Sequence, residues 1–411
     1  MIRFLVKLLP VLIFMLASCR KEKNTNSVKI VDYIESPASV GSAQPFLFAK
    51  GDKLWMSWTQ KINDSVHTLQ FSALNAEKWT QPSEIARGDD WFVNWADFPA
   101  IAENNGNLLA HFLQKSDSAT FAYDVHLKLS NNNGQDWNKD FVIHTDSTKT
   151  EHGFVTLLPY KEDSFFATWL DGRNTGGGGH NDDHGSTGAM TIRTAIVSSK
   201  GIITDETLVD HKTCDCCQTS AAITPKGPVI VYRDRTDDEV RDIYISRLLD
   251  GSWTIPKPIY NDHWVINGCP VNGPKAVVYK NTLAVTWFTA ADTIPKVTIS
   301  FSGDSGANFD APIQIDNGKP IGRVDLVLLD EQNVLVSWME STEKEAEIKI
   351  RKVSKDGTTK EPIVITTLLA ARASGFPQLE LVNDNVYVAW NHVTKNETTI
   401  KIKKIPTHIF N

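Results

Sequence analysis

Cysteine and histidine are the residue types in this sequence that could hold a metal ion. Three cysteines are crowded into Cys214-Asp215-Cys216-Cys217, and a fourth, Cys269, follows further along the chain. Thiolates and imidazoles are ligands that copper and zinc prefer. The pattern therefore predicts a copper or zinc site drawn from these cysteines and histidines: His152, His180, His184, Cys214, Cys216, Cys217 and Cys269.

A disulfide is the alternative role for the same cysteines. In an oxidising compartment, Cys269 would pair with Cys216 or Cys217. Cys214, Cys216 and Cys217 are too close in sequence to pair with one another without strain. The sequence leaves metal ligation and disulfide pairing open.

The elements that must position these residues repeat along the chain. A short apolar strand that ends in an aromatic residue occurs seven times, and consecutive aromatics are 51 to 63 residues apart: Trp58, Phe112, Trp169, Tyr232, Trp287, Trp338 and Trp390. Other short strands flank each copy, and four strands in about 50 residues are typical of a propeller blade. We therefore predict an all-β, seven-bladed β-propeller of four-stranded blades. The segment Val28 to Tyr33 would supply the last strand and close the ring.

A second motif marks the corners of the blades. Residues 302–309 read S-x-D-x-G-x-x-F, and residues 130–137 match them with Asn132 in place of the aspartate and Trp137 in place of the phenylalanine. The acidic or amide oxygen would accept turn N–H groups, and the glycine would take a positive φ. The motif resembles the Asp-box of the sialidase superfamily. Because sialidases have six blades, the resemblance makes a six-bladed ring the alternative.

The resemblance implies a set of site residues. Sialidases hold a substrate carboxylate with three arginines and use an aspartate and a Tyr–Glu pair in catalysis. Candidate catalytic residues are Asp97, Asp171 and Asp234. Candidate substrate-binding residues are Arg173, Arg233, Arg323, Arg372, Trp95 and Trp264. The family's F-R-I-P segment is absent, because that place reads Gln44-Pro45-Phe46, and no Tyr–Glu pair is evident.

The N-terminal residues predict where the protein is located. Residues 1–18 have the charged start and short apolar stretch of a secretory signal. The segment Leu16-Ala17-Ser18-Cys19 resembles the lipobox of bacterial lipoproteins, which implies a lipid on Cys19. Residues 19–27 would be a polar tether and residues 28–411 one propeller domain. Arg20 rather than aspartate after the cysteine favours an outer-membrane lipoprotein of the cell envelope, facing the periplasm or the surface.

The charge balance narrows the class of partner. The net charge is −7 with acidic and basic residues interspersed, which gives no basic surface for nucleic acid. In propellers, the loops before each innermost strand and after each second strand line one channel mouth, and the candidate residues fall mainly in such loops of blades two to five. The primary hypothesis is glycan binding or exo-glycosidase-like activity there. The alternatives are a copper- or zinc-binding propeller and a non-catalytic interaction scaffold.

Overall fold

The computed structural model describes residues 32–176, 188–395 and 397–411. These residues form seven antiparallel sheets arranged as a closed ring, because the innermost strand of each sheet contacts the innermost strands of its two neighbours. Each sheet runs outward from its innermost strand. The prediction of seven blades is confirmed, and the six-bladed alternative is wrong.

The strands follow the blades in chain order. Strand β1 (Asp32–Ile34) precedes blade one. Blade one contains β2 (Ser42–Lys50), β3 (Lys53–Lys61), β4 (His67–Asn75), β5 (Lys78–Trp79) and β6 (Ser83–Gly88). Blade two contains β7 (Ile101–Asn104), β8 (Asn107–Lys115), β9 (Tyr123–Ser130) and β10 (Phe141–Val142). Blade three contains β11 (His152–Tyr160), β12 (Ser164–Asp171), β13 (Thr191–Ser198) and β14 (Ile203–Asp210).

The second half of the ring has the same plan. Blade four contains β15 (Ser220–Thr224), β16 (Gly227–Arg233), β17 (Ile243–Leu249), β18 (Ser252–Trp253) and β19 (Lys257–Pro258). Blade five contains β20 (Lys275–Tyr279), β21 (Thr282–Thr289), β22 (Lys296–Ser302) and β23 (Ile313–Gln314). Blade six contains β24 (Pro320–Leu328), β25 (Asn333–Ser341), β26 (Ala346–Ser354) and β27 (Ile363–Leu368). Blade seven contains β28 (Gln378–Val382), β29 (Asn385–Val393) and β30 (Thr398–Pro406).

Helical structure in the described residues is limited to three short 3-10 turns, Ala291–Thr293, Arg372–Ser374 and Thr407–Phe410. None of the described helices has the length and apolar character needed to cross a bilayer. The described part of the chain is therefore built from strands and loops.

The repeated aromatic residues form the packing between blades. Trp58, Trp169, Trp287, Trp338 and Trp390 on the second strands are among the largest fully buried side chains. Burying an aromatic side chain removes about 150–250 Å² from water. The repeat seen in the sequence is thus one buried position occupied in blade after blade.

The ring closes through strands from opposite ends of the chain. Strand β1 pairs antiparallel with β30, with Asp32 opposite Lys404 and Ile34 opposite Ile402. Blade seven therefore has the order β28-β29-β30-β1. This confirms that the N-terminal segment closes the ring, with a described strand at Asp32–Ile34, whereas residues 28–31 of the predicted strand lie outside the described residues. The pairing covers the edge that β30 would otherwise expose.

The two Asp-box-like corners have the same geometry. In blade five, Asp304 accepts the Asn308 N–H at 2.9 Å, and Ser302 Oγ accepts the Gly306 N–H at 2.9 Å. In blade two, Asn132 accepts the Asp136 N–H at 3.0 Å, and Ser130 Oγ accepts the Gly134 N–H at 2.9 Å. Both glycines have positive φ, and a Cβ on either would lie within 3 Å of a neighbouring side chain.

Candidate functional site

The central channel has a cavity lined by the innermost strands. Its volume is about 450 Å³. Five phenylalanines line it together with a small set of ionisable groups: Phe46, Phe48, Phe98, Phe154, Phe376, Lys50, Asp97, Lys275, Asp325 and Glu380. An apolar cavity with a few polar groups is the usual form of a small-molecule site.

A hydrogen-bonded group of three side chains lies at the mouth between blades two and three. The Tyr123 hydroxyl is 2.7 Å from Glu151 Oε1 and 3.2 Å from Asp97 Oδ2. Asp97 Oδ1 also accepts the Phe154 N–H at 2.8 Å. Asp97 precedes blade two, Tyr123 begins β9, and Glu151 precedes β11, so two blades must pack together to form this group.

Burial sets the protonation of this group. Asp97 is 2% exposed and Tyr123 is fully covered, with its ring stacked on Phe92 at 4.0 Å. Burial raises the pKa of Asp97 to about 8, although the hydrogen bond from the Phe154 N–H opposes it. Burial also raises the pKa of Tyr123. Asp97 therefore keeps its proton at neutral pH, and it is the member of the group that lines the cavity.

A charged network lies beside this group on blade three. Arg173 Nε is 2.7 Å from Asp171 Oδ1, and the Arg173 guanidinium also contacts Asp146 at 3.1 Å and Glu206 at 2.9 Å. Asp171 is fully buried. Burial acts to raise the pKa of Asp171, but the hydrogen bonds from Arg173 and Trp169 and the charges of His152 and Arg173 together outweigh it and lower the pKa. Asp171 is thus an ionised anchor for Arg173, and the geometry does not support its predicted role as a catalytic acid.

Two stacked histidines extend the network. The His144 and His152 rings are 3.7 Å apart and nearly parallel, and both have a nitrogen 3.2 Å from Asp146 Oδ2. Burial lowers the pKa of His144 to about 4. Asp124, His144 and His152 offer ligand atoms within 4.8 Å of one another, as do Asp146, His152 and Asp171. Either set could hold a divalent cation.

Four thiols lie in the loops of the next two blades, blades four and five, and those of blade four share a core cluster with Ala96 and Phe154. The sulfurs of Cys214, Cys216 and Cys269 lie within 4.8 Å of one another, and Cys217 Sγ is 3.5 Å from Cys214 Sγ. All four are free thiols in the structure. Hydrogen bonds from neighbouring thiols, first that of Cys216, lower the pKa of Cys214. The predicted convergence of these cysteines is therefore present.

Of the histidines in the predicted metal set, His152 is the one that the structure describes, and it does not join the thiols. His152 contacts Asp146 and the Thr150 carbonyl instead. His180 and His184 lie outside the described residues, as does the predicted lipidation site Cys19. The sequence-based set thus mixed two clusters: His152 belongs with carboxylates, and the cysteines stand together.

Two of the predicted substrate-binding arginines donate to the backbone instead. Arg233 is 1% exposed and hydrogen bonds to the carbonyls of Arg241, Asn272 and Phe288. Its guanidinium lies over the ring of Trp264, which is also buried. The structure does not support a substrate-binding role for Arg233 or Trp264.

Arg323 has a similar environment on blade six. It donates to the Gly375 and Ala371 carbonyls at 2.8 and 3.1 Å, and its guanidinium lies 4.8 Å from the Trp95 ring centroid. Trp95 in turn stacks on Phe376. Burial lowers the pKa of Arg323 to about 10. These contacts occupy Arg323 and Trp95, and the predicted arginines in the described part of the chain form no three-arginine arrangement of the kind expected from the resemblance.

The remaining predicted residues lie in separate places. Arg372 is exposed in the 3-10 turn before β28. Asp234 is buried after β16, where burial and the nearby Asp210 raise its pKa to about 8. Neither lines the channel cavity.

The sequence analysis missed Tyr123, Glu151, His144 and Asp146. Tyr123 and Glu151 are brought together by a parallel bridge between blades, Tyr123 with Glu151, which no local pattern could reveal. The alternation of Ile143-His144-Thr145-Asp146 was the one available signal, since alternating positions share a face.

No protein-family model and no curated protein matches this chain. Solved structures match its fold. A protein of unknown function from Dyadobacter fermentans DSM 18053 is 13% identical, with a TM-score of 0.51 over 92% of this chain and 97% of that chain. The polysaccharide lyase Uly1 is 10% identical, with a TM-score of 0.52 over 96% of each chain. The phage phi92 endosialidase is 11% identical, with a TM-score of 0.50 over 92% of this chain and 69% of that chain. At such identities the likeness concerns the fold, which is a sialidase-like β-propeller.

Proposed function

We propose that this protein binds a carbohydrate at the mouth of its central channel, and that Asp97 acts there as the acid in cleaving a glycosidic bond. The observation that carries the proposal is the placement of Asp97, which lines the cavity and is backed by Tyr123 and Glu151. A carboxyl that keeps its proton near pH 7 can protonate a leaving-group oxygen. As the glycosidic C–O bond breaks, water would add to the glycosyl carbon and lose a proton, which restores the Asp97 carboxyl. Tyr123 is covered, so it and Glu151 act as positioning residues.

The cavity wall supports binding of a sugar. Phe98 and Phe376 are 5.8 Å apart at the wall beside Asp97, and Phe46 is 6.5 Å from Phe98. Aromatic rings provide large apolar faces that can pack against the C–H faces of a sugar ring. The fold is shared with a polysaccharide lyase and an endosialidase, which adds support for a carbohydrate ligand. Because Arg233 and Arg323 are engaged by carbonyls, recognition would depend on these faces rather than on a carboxylate clamp.

The test is a screen of glycosides and polysaccharides for binding and for bond cleavage. Asp97→Asn is expected to reduce cleavage by at least about 100-fold while leaving the affinity for the same glycan within a few-fold. Asp117→Asn, at an exposed carboxyl in the loop after β8, is the matched control and should cleave like the wild type. Failure of every glycan to bind, or full activity of Asp97→Asn, would overturn the proposal; the first result would favour an interaction scaffold.

We also propose that the protein is an outer-membrane lipoprotein of the cell envelope, with residues 1–18 removed, Cys19 acylated and residues 19–27 serving as a tether. The support is the lipobox-like segment that ends at Cys19. Cys19→Ala is expected to move the protein from the membrane fraction to the soluble fraction. Mass spectrometry of the wild-type N-terminal peptide should show the lipid, and an unmodified Cys19 would contradict the proposal.

A further inference from the structure

The thiols between blades four and five form a compact cluster. Cys214, Cys216 and Cys217 precede β15, and Cys269 precedes β20. The sulfur separations run from 3.5 Å between Cys214 and Cys217 to at most 4.8 Å within the set of Cys214, Cys216 and Cys269. Two loops from different blades therefore deliver four soft donors to one place.

These separations fit a metal–thiolate site. A tetrahedral ion with zinc–sulfur bonds of about 2.3 Å separates its sulfurs by about 3.8 Å, which lies within the range in the structure. A disulfide needs a sulfur–sulfur bond of about 2.05 Å, and two disulfides would be needed to use all four thiols. Cys216 and Cys217 are adjacent in sequence, so pairing them would add strain. One central ion can be bound by Cys214, Cys216 and Cys269, whose sulfurs all lie within 4.8 Å of one another, and Cys217, 3.5 Å from Cys214, is available as the fourth donor.

The surroundings carry positive charge that would balance bound thiolates. Arg241 is 3% exposed, and its Nη1 donates to Cys214 Sγ at 3.3 Å while its Nη2 contacts Glu239 at 2.7 Å. Arg233, also buried, acts electrostatically on Cys217. A divalent ion with four thiolates carries a net charge of about −2, which Arg233 and Arg241 reduce, although Arg241 also pairs with Glu239. Hydrogen bonds of this kind to ligand sulfur orient the ligand and tune the site.

Exposure differs among the four thiols in a way that suits ion entry. Cys214, Cys216 and Cys217 are buried, whereas Cys269 is exposed. Three donors are thus held in place by the packing of blade four, and the fourth lies at the surface. This arrangement gives an ion a path into the cluster.

We infer that Cys214, Cys216, Cys217 and Cys269 bind one thiophilic d10 cation, Zn²⁺ or Cu⁺. Each thiol that becomes a ligand loses its proton to solvent, and no electron is transferred. Among the histidines that the structure describes, none belongs to this cluster. None of the four cysteines lines the channel cavity, so either proposal can fail without the other.

The test uses the full chain with Cys19→Ala, so that the four cluster cysteines are the only thiols. The protein is purified without chelators, and its metal content is measured by mass spectrometry. The metal-free, reduced protein is then titrated without oxygen, with Zn²⁺ in one arm and Cu⁺ in the other. We expect one ion per chain, release of protons, and loss of thiol reactivity toward a disulfide reagent. The arm that competes better against a chelator identifies the ion.

Substitutions distinguish the cysteines that bind the ion from residues that only lie beside them. Cys269→Ser, at an exposed position, should fold normally and lower affinity by more than the roughly 10- to 100-fold that is typical of losing a supporting contact. Arg241→Gln should lower the metal affinity by roughly 10- to 100-fold. Asn267→Ser, in the same loop as Cys269, is the control and should bind like the wild type. Unchanged affinity in Cys269→Ser, less than a tenth of an ion per reduced chain, or two disulfides in the chain as isolated would overturn the inference.

Discussion

The two sides of the channel mouth use equivalent loops for different chemistry. Between blades two and three, the loops before the innermost strands bring carboxyls and histidines against Tyr123, at the start of β9, and Arg173, which follows β12. Between blades four and five, the corresponding loops bring thiols together with Arg233 and Arg241. The blade geometry is the same on both sides. Function in this fold therefore depends on the side chains grafted on the loops.

Arg173 and Arg233 illustrate the difference between the two groups of loops. Arg173 is neutralised by three carboxylates, whereas Arg233 donates to three backbone carbonyls and contacts Trp264. The first arrangement is ionic and responds to pH. The second satisfies buried backbone carbonyls and does not depend on ionised carboxylates. Substituting Arg173 should therefore change stability in a pH-dependent way, whereas substituting Arg233 should not.

The largest effect is expected from Arg233→Ala. It leaves buried carbonyls of Arg241, Asn272 and Phe288 without donors and opens a cavity beneath Trp264, which should lower the free energy of unfolding by about 3–5 kcal/mol. Urea unfolding would measure the loss. Arg372→Ala, at an exposed position, should change stability by less than about 0.5 kcal/mol. A loss below about 1 kcal/mol in Arg233→Ala would show that blade four does not depend on it.

Asp97→Asn should change stability in the opposite direction. Because the pKa of Asp97 is raised to about 8 in the folded protein, its contribution is fully present below the unfolded value of 3.8 and is lost as pH rises toward 8. The variant lacks this loss. Between pH 4 and pH 7.5, its free energy of unfolding should therefore rise relative to that of the wild type by roughly 2–4 kcal/mol. Urea unfolding between pH 4 and pH 7.5 tests this prediction. Asp234→Asn, in blade four, should show the same pH dependence because the pKa of Asp234 is also raised to about 8. Parallel pH profiles for Asp97→Asn and the wild type would contradict the assignment.

Arg173→Ala tests the ionic side. Removing the guanidinium leaves Asp171, Asp146 and Glu206 without their partner, which should cost about 2–3 kcal/mol at pH 7. The cost should shrink as pH falls, because in the variant burial of Asp171 is no longer opposed by Arg173 and this carboxylate can take up a proton. Unfolding measured at pH 7 and pH 4.5 would show this. For Arg233→Ala the cost should stay constant over that range, and equal pH responses in the two variants would remove the distinction between the sides.

Gly153→Ala should disturb the group of Asp97, Tyr123 and Glu151 and leave the thiol cluster unchanged. A Cβ at Gly153 would lie 1.9 Å from Asp97 Oδ2, so the carboxyl must move away from Tyr123 at a cost of about 1–3 kcal/mol. Gly268→Ala, beside Cys269, meets nothing within 4 Å and is the matched control. Thermal unfolding and a crystal structure would check both. An undisturbed Asp97 in Gly153→Ala would show that the group of three is more adaptable than its packing indicates.

The smallest effect is expected at a corner remote from both sides. Partial burial acts to raise the pKa of Asp304, but the hydrogen bonds from Asn308 outweigh it and lower the pKa to about 2. Asp304→Ala should cost about 1 kcal/mol near pH 7, and this contribution should disappear as pH falls through about 2. Asn132→Ala at the equivalent corner should show a similar loss with no such pH dependence. Acid unfolding curves of the two variants provide the comparison.

The fold could be predicted from the sequence because its signals are local and repeated. The aromatic at the end of each second strand and the glycine-containing corners at Gly134 and Gly306 depend on neighbouring residues. The same reasoning identified the convergence of Cys216 with Cys269, since the repeat places their loops in equivalent positions of adjacent blades.

The candidate site was less predictable because its partners come from different blades. Asp97 was a candidate acid, yet its contact with Tyr123 and Glu151 depends on how blade two packs on blade three. The inward direction of Arg233 could not be read from β16, since all but the first of its residues are buried and show no alternation. A basic residue at the end of a strand is compatible with either a ligand or a carbonyl anchor, and only packing distinguishes them.

The pairing of β1 with β30 also bears on the order in which the chain folds. Residues 32–34 meet residues 402–404, so nearly the whole polypeptide must be present before this contact can form. Blades one to six can assemble during synthesis as an open ribbon, and two unpaired edges persist until the final strand arrives. We therefore expect a late kinetic step that closes the ring, and a chain ending before Thr398 should tend to associate edge to edge.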